Sequence, residues 1–189
     1  MYSYGGGPLR TEPSRYISNA ASDRVVAGEG PNQLYGNGGN DKLFGNGGDD
    51  VLVGGAGRDT LFGGKGADRF VFDRPASATN VDRVMDFSHK QGDRIALSHK
   101  HFSAVTLAYK YDSFGQPVED RALGLKVGFL PASAFRQGDQ ALLETDRIVY
   151  NKATGALFYD VDGSGAAEAV KIADFKAGTA LYASDFLFF

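Results

Sequence analysis

The sequence predicts an all-β protein: a coil of short parallel strands, followed by an antiparallel β region packed against it. Two observations carry this. Residues 27–72 read AGEGPNQLY, GNGGNDKLF, GNGGDDVLV, GGAGRDTLF, GGKGADRFV and then Phe72, five tandem units of nine residues. Self-similarity at a fixed short period marks a repeat architecture. After residue 80 the register is gone, and short apolar or alternating runs (VDRVMDF, DRIAL, AVTLAYKY, LGLKVGF, DRIVY, GALFYDV, AVKIA, DFLFF) are separated by Asp, Gly, Ser and Pro. That is the pattern of an antiparallel β assembly.

Taken in order, residues 1–17 are rich in Gly, Pro and Arg without periodicity and read as a flexible N-terminal arm. Residues 18–72 form the coil. Its first stretch, SNAASDRVV at 18–26, keeps Asp23 and Val25 at the sixth and eighth positions but has lost the glycines, as a capping repeat does. Residues 73–189 are the C-terminal β region, opened by a loop, DRPASATN. Within it, 146–150 and 156–160, joined by NKATG, suit a hairpin. Short helical turns are expected at 131–136 and 182–186.

Composition narrows the function. The net charge of −3 argues against a nucleic-acid binder, and no cysteine is present for a disulfide or thiolate zinc site. The first 19 residues lack a basic start and an apolar core, and no run approaches a membrane-spanning helix. Glycine is in excess: 14 of 26 fall between Gly28 and Gly66.

The period itself implies a metal. If each unit supplies one turn and one short strand, two units close one coil of 18 residues. Turns two units apart then stack, so Asn32, Asp50 and Asp68 line one edge, Asp41 and Asp59 the other, with Asp23 extending the second. Strands stack about 4.8 Å apart, which brings like charges close. The inner ladder is only Leu34, Leu43, Leu52, Leu61 and Phe70, one side chain per unit. At roughly 1.5–3 kcal/mol each it does not offset about 1–2 kcal/mol of ordering entropy per residue. A hard divalent cation between stacked turns supplies what is missing, and calcium accepts six to eight oxygens in flexible geometry. The repeats hold no His or Cys, which disfavours transition metals. Outward positions are Gln33, Tyr35, Val51, Val53, Arg69 and Val71 on one sheet and Lys42, Phe44, Thr60 and Phe62 on the other. The valines predict that the segments after residue 80 pack on the first.

The units resemble the calcium-binding nonapeptide of the RTX (hemolysin-type) family, in which such repeats form a parallel β-roll. The resemblance implies ligands from the carbonyls of the first four positions and the sixth-position side chain. Those are Ala27, Gly28, Glu29, Gly30 and Asn32; Gly36, Asn37, Gly38, Gly39 and Asp41; Gly45, Asn46, Gly47, Gly48 and Asp50; Gly54, Gly55, Ala56, Gly57 and Asp59; and Gly63, Gly64, Lys65, Gly66 and Asp68. Three to four Ca2+ ions are expected, with Asp73 or Asp82 closing a site at the end of the roll. DRVMDF, GDRIALS, residues 146–175 and the final LYASDFLFF resemble the C-terminal modules of serralysin-like proteins. Such proteins leave a bacterium through an ABC transporter (type I secretion), which reads an uncleaved C-terminal signal. Here that signal would be Asp185, Phe186, Leu187, Phe188 and Phe189. A secreted, extracellular location follows from the resemblance. Asp160-Val-Asp162-Gly163 resembles the start of an EF-hand loop, but Lys171 stands where the closing Glu belongs, so a polar turn is expected.

No catalytic constellation is legible. The histidines are His89, His99 and His101, with no H-E-x-x-H and no G-x-S-x-G elbow. The expectation is a non-enzymatic calcium-binding module that folds after export. Two alternatives stand beside it: the C-terminal domain of a secreted protease, lipase or epimerase whose catalytic domain lies upstream, or an extracellular adhesive or glycan-binding module.

Overall fold

The nine-residue period becomes two sheets. The structure is a computed structural model that describes residues 14–109, 119–120, 123 and 125–189. Residues 1–13 of the expected arm lie outside it, as do parts of the apolar runs at 104–111 and 123–129. The first seven strands are β1 (Ser14–Ile17), β2 (Arg24–Val26), β3 (Asn32–Tyr35), β4 (Lys42–Gly47), β5 (Val51–Val53), β6 (Thr60–Lys65) and β7 (Arg69–Phe72). Odd strands pair with odd and even with even, all in parallel and offset by 18 residues, as in Leu34↔Leu52 and Leu43↔Leu61. Leu34, Leu43, Leu52, Leu61 and Phe70 are each 0 % exposed between the sheets.

The arm is shorter than expected. Ser14–Ile17 is a strand of the roll, with Tyr16 opposite Leu34 and the Arg15 guanidinium 4.7 Å from the centre of the Tyr35 ring. Tyr16 and Val25 continue the apolar ladder at the nine-residue period although their units have no glycine turn. β4 and β6 are also longer than three residues, because Gly47 pairs with Lys65 inside the turn.

The chain then adds strands to one end of each of the coil's two sheets. They are β8 (Asp82–Val84), β9 (Arg94–Leu97), β10 (Glu119–Asp120), β11 (Leu125–Lys126), β12 (Gly128–Phe129), β13 (Phe135–Gln137), β14 (Ile148–Asn151), β15 (Ala156–Tyr159), β16 (Val170–Phe175) and β17 (Phe186–Phe188). One sheet runs β1-β3-β5-β7-β9-β17-β12, the second β13-β14-β15-β16-β8-β6-β4-β2, and β10-β11 is a separate pair. The antiparallel pattern is present in β14-β15-β16, with the expected hairpin, and in β12-β17. It is joined to the roll by parallel pairings, β8 on β6, β9 on β7, β16 on β8 and β17 on β9. The last coil leaves a row of unpaired backbone groups on each sheet, and the C-terminal half satisfies them. 3-10 turns cover His89–Gln91, Ala132–Ala134 and Ala183–Asp185, the last two where short turns were expected.

Between the sheets the thin leucine ladder opens into an aromatic core. Phe87 meets Phe175 edge-on at 5.7 Å, and Tyr150 is fully buried with its hydroxyl donating to Thr179 O at 2.9 Å. The outer face of the first sheet is covered: Val51, Val53, Val71 and Ala96 are buried, with Leu123 and Phe189 against them. Arg69 Nε pairs with Asp120 at 2.8 Å on that side. Among the described residues no helix is long and apolar enough to cross a membrane.

Candidate metal centre

The four turns from Gly36 onward alternate in handedness, and the first keeps only its fourth-position residue left-handed. Left-handed residues stand at the second position (Asn37, Asn46, Gly55 and Gly64, φ 67° to 103°) and at the fourth (Gly30, Gly39, Gly48, Gly57 and Gly66, φ 92° to 128°). The fourth position also touches the turn below: a methyl on Gly48 would stand 2.2 Å from the Gly30 carbonyl carbon. Third positions form a small ladder of their own, with Glu29 bridging Gly47 and Gly38 bridging Ala56. At the second position, the Asn37 and Asn46 amides donate to Ser18 O and Ala27 O at 2.7 and 2.6 Å.

The sixth-position carboxylates stack in two columns. Along one edge, Asp50 Oδ1 accepts the Asn32 N–H at 2.8 Å, Asp68 Oδ1 the Asp50 N–H at 2.9 Å, and Asp93 Oδ1 the Asp68 N–H at 3.0 Å. Along the other, Asp41 accepts from Asp23 at 2.7 Å, Asp59 from Asp41 at 2.7 Å and Asp82 from Asp59 at 3.0 Å. Half of each carboxylate is thereby satisfied. The second oxygen, Oδ2, of Asp41, Asp50, Asp59 and Asp68 is buried with no hydrogen-bond partner. A buried carboxylate oxygen in that state is strongly destabilising unless a cation meets it.

What faces those oxygens is the first glycine of each turn. A methyl on Gly36 would lie 2.3 Å from Asp41 Oδ2 and 2.4 Å from Gly54 O; on Gly45, 2.3 Å from Asp50 Oδ2 and 2.5 Å from Gly63 O. Methyls on Gly54 and Gly63 would lie 2.2 Å from Asp59 Oδ2 and Asp68 Oδ2. At the first two of these turns, a carboxylate oxygen and a carbonyl oxygen of the stacked turn both border the space beside the glycine, so side-chain and backbone oxygens are gathered there. All four spaces are open only because the residue is glycine. The donor set is oxygen alone, which suits a hard cation. Among the described residues no three acidic or His side chains form a cluster able to hold a metal by themselves.

The first unit is built otherwise. Ala27 puts a buried methyl where the others have glycine, and the Asn32 amide nitrogen donates to Gly28 O at 3.0 Å and Gly30 O at 2.5 Å. In this turn the Asn32 amide thus bonds two of the carbonyls that the sequence reading assigned to a cation. At the far end, Asp82 is buried in the second column. Burial, with smaller contributions from the Asp59 and Asp73 charges, pushes its carboxyl up to about 8. Asp73 Oδ1 is buried without a hydrogen bond, with Arg74 Nε 3.6 Å away. Burial likewise raises Asp50 and Asp68 to about 7 and Asp59 to about 6.

Two acceptors at the end of the roll escaped the sequence reading. Asp93 ends the first column, accepting the Asp68 N–H at 3.0 Å and the Ser88 N–H at 2.8 Å, while Asp86 stands outside the columns and accepts the Gly63 and Gly64 N–H groups, each at 3.0 Å. The signal for Asp93 was the Asp-Arg-apolar triplet at 93–95, repeated from 68–70 but spaced 25 residues from its register partner instead of 18. Asp160 Oδ1 caps its own turn by accepting from Asp162 and Gly163, as a polar turn does. His99 Nε2 lies 3.3 Å from Val105 O. The tail is interior: Asp185 and Phe186 are 0 % exposed, and Asp185 Oδ1 lies 2.5 Å from His89 Nδ1.

Fold and site together define a parallel β-roll whose stacked turns present buried carboxylates to a hard cation. A family model described as RTX calcium-binding nonapeptide repeat (4 copies) matches residues 17–52 and 44–74, so the roll itself is made of repeats of that kind. Its repeats are calcium-binding repeats. Among solved structures the chain is similar to the AlgE6R3 subunit of the Azotobacter vinelandii mannuronan C5-epimerase, with 30 % identity over 64 % of this chain and 83 % of that one and a TM-score of 0.40. No curated protein sequence matches the chain.

Proposed function

We propose that this chain is a secreted, non-enzymatic module whose roll is held folded by calcium at the Asp41, Asp50, Asp59 and Asp68 cradles. The observation that carries the reading is the set of four buried, partnerless Oδ2 atoms, each against the first glycine of its turn. Bound calcium supplies positive charge and coordination sites for oxygen. The chain supplies the rest: Oδ1 ties each turn to the one below, Oδ2 and the stacked carbonyl face the ion, and glycine keeps the space clear. Because these oxygens meet only in the coil, binding belongs to the folded form, and each site adds RT ln(1 + [Ca]/Kd) to stability. At the roughly 10⁻⁴–10⁻³ M affinity of extracellular modules, the cradles fill outside a cell and stay empty in a calcium-poor cytosol.

Type I export fits that linkage, because an unfolded roll threads a transporter channel and the acid-plus-apolar tail at 185–189 resembles the signal such transporters read. Circular dichroism of the chain in EDTA and then in millimolar calcium tests the folding step. A cooperative gain of β signal with calcium is expected, and a complete β signal in EDTA refutes it. Export is tested by co-expressing the chain with an ABC exporter, with and without residues 185–189.

A further inference from the structure

The outer face of the second sheet is unlike that of the first. Across β2, β4, β6 and β8 the register sets Arg24 beside Lys42, Lys42 beside Thr60 and Thr60 beside Arg83, a single row over four strands about 4.8 Å apart. Arg24, Lys42 and Arg83 are exposed, and among the described residues none of the three is in an ion pair. Beside this row run Val26, Phe44 and Phe62. The two rings stack 4.6 Å apart at 7°, and the Arg24 guanidinium lies 4.6 Å from the Phe44 centre. Where the row passes the short Thr60, a cleft of about 450 Å³ opens, with Asn40, Arg58, Arg83 and Lys171 on its walls together with Asp59 and Asp174, the latter paired with Lys171 at 2.5 Å.

The charge balance points the same way. The formal charge of −3 includes the aspartates buried in the two columns. Each divalent ion adds two positive charges, so two bound ions already make the chain net cationic.

We propose that this face binds a carboxylated polysaccharide, and only in the calcium-loaded chain. The proposal rests on calcium-dependent folding, because positions 24, 42, 58, 83 and 171 come together only when the coil and the strands that continue its second sheet are formed. A line of cations on a flat, open sheet matches anionic groups spaced along a flexible polymer. Guanidinium forks take carboxylates, and the Thr60 hydroxyl and Asn40 amide take sugar hydroxyls. A nucleic acid fits less well. Both faces of Phe44 are taken, by Phe62 and by Arg24, so this pair does not offer the succession of free ring faces on which bases stack. Nor does a flat sheet face offer the helix or ribbon that enters a groove.

The test titrates the calcium-loaded chain with hyaluronate, and in parallel with dextran, a single-stranded DNA oligomer and phosphatidylserine vesicles. Hyaluronate binding is expected to weaken with salt. Lys42→Ala and Arg83→Ala should each weaken it about threefold, with the β signal and calcium midpoint unchanged. A folded chain that ignores hyaluronate, a double variant that binds as before, or tighter binding to DNA or vesicles overturns the proposal. Circular dichroism reports calcium folding separately. Equal hyaluronate affinity in EDTA would refute the calcium dependence alone.

Discussion

Asp50 and Asn32 occupy the same position of their units and the same edge of the roll, yet do opposite work. Asp50 Oδ2 is an unmet buried acceptor, while the Asn32 amide fills its own turn with hydrogen bonds. Asp50→Ala is therefore expected to raise the calcium midpoint about tenfold, roughly 1.4 kcal/mol, and Asn32→Ala to leave it nearly in place, both read by calcium titration of the β signal. Gly45→Ala should resemble Asp50→Ala, because its methyl would stand 2.3 Å from Asp50 Oδ2. Acidity acts on the same atoms. In the metal-free fold, burial raises Asp50 and Asp68 to about 7, above the ordinary value of 3.8, so that fold holds more protons than the unfolded chain. Its stability is fully present below about pH 4 and is lost as pH rises through about 7. In EDTA, more β signal is expected at pH 4.5 than at pH 7.5. With calcium the direction reverses, because protons compete for the cradles, and the midpoint should rise as pH falls from 7 to 5.

At the scale of the strand, the valines of β5 distinguish two kinds of outer face. Val51 and Val53 are buried at 4 and 8 % exposure under Leu123 and Phe189. Val51→Asp or Val53→Asp should each destabilise the calcium-loaded chain by roughly 3 kcal/mol in urea unfolding, since each buries a charge without a partner. The equivalent Phe44 and Phe62 on the other sheet are only half-buried. The roll and the docking on the first sheet were legible because period nine and the alternation of Val51-Leu52-Val53 are local signals. Strand β1 was not, since Tyr16 keeps the ladder while its turn has lost the glycines that announce a unit. Asp93 stayed hidden for a related reason. The loop before it lengthens the coil from 18 residues to 25, so spacing no longer reports its column. The orphaned Oδ2 atoms were beyond any sequence reading, because they depend on which oxygen of each carboxylate the next turn's N–H takes.

Seen whole, the molecule is two sheets that run from the roll into the C-terminal half, so the tail and the repeats share one core. β17 lies between β9 and β12, and its Phe186 and Phe188 are buried beside the strands that continue the coil. That continuity has a consequence for changes of length. Because a unit of nine residues travels only half a coil, successive units alternate between sheets, and the offset that preserves pairing is 18. Removing residues 36–53, a whole coil, should shorten the protein and leave every remaining strand in its own sheet. Removing residues 36–44 alone should carry everything N-terminal to the cut into the opposite sheet. Arg24 and Val26 would then move to the face that carries Leu123. The larger deletion is expected to be the milder one in calcium-dependent thermal unfolding, an odd–even rule by which this protein tolerates repeats lost in pairs and resists losing one.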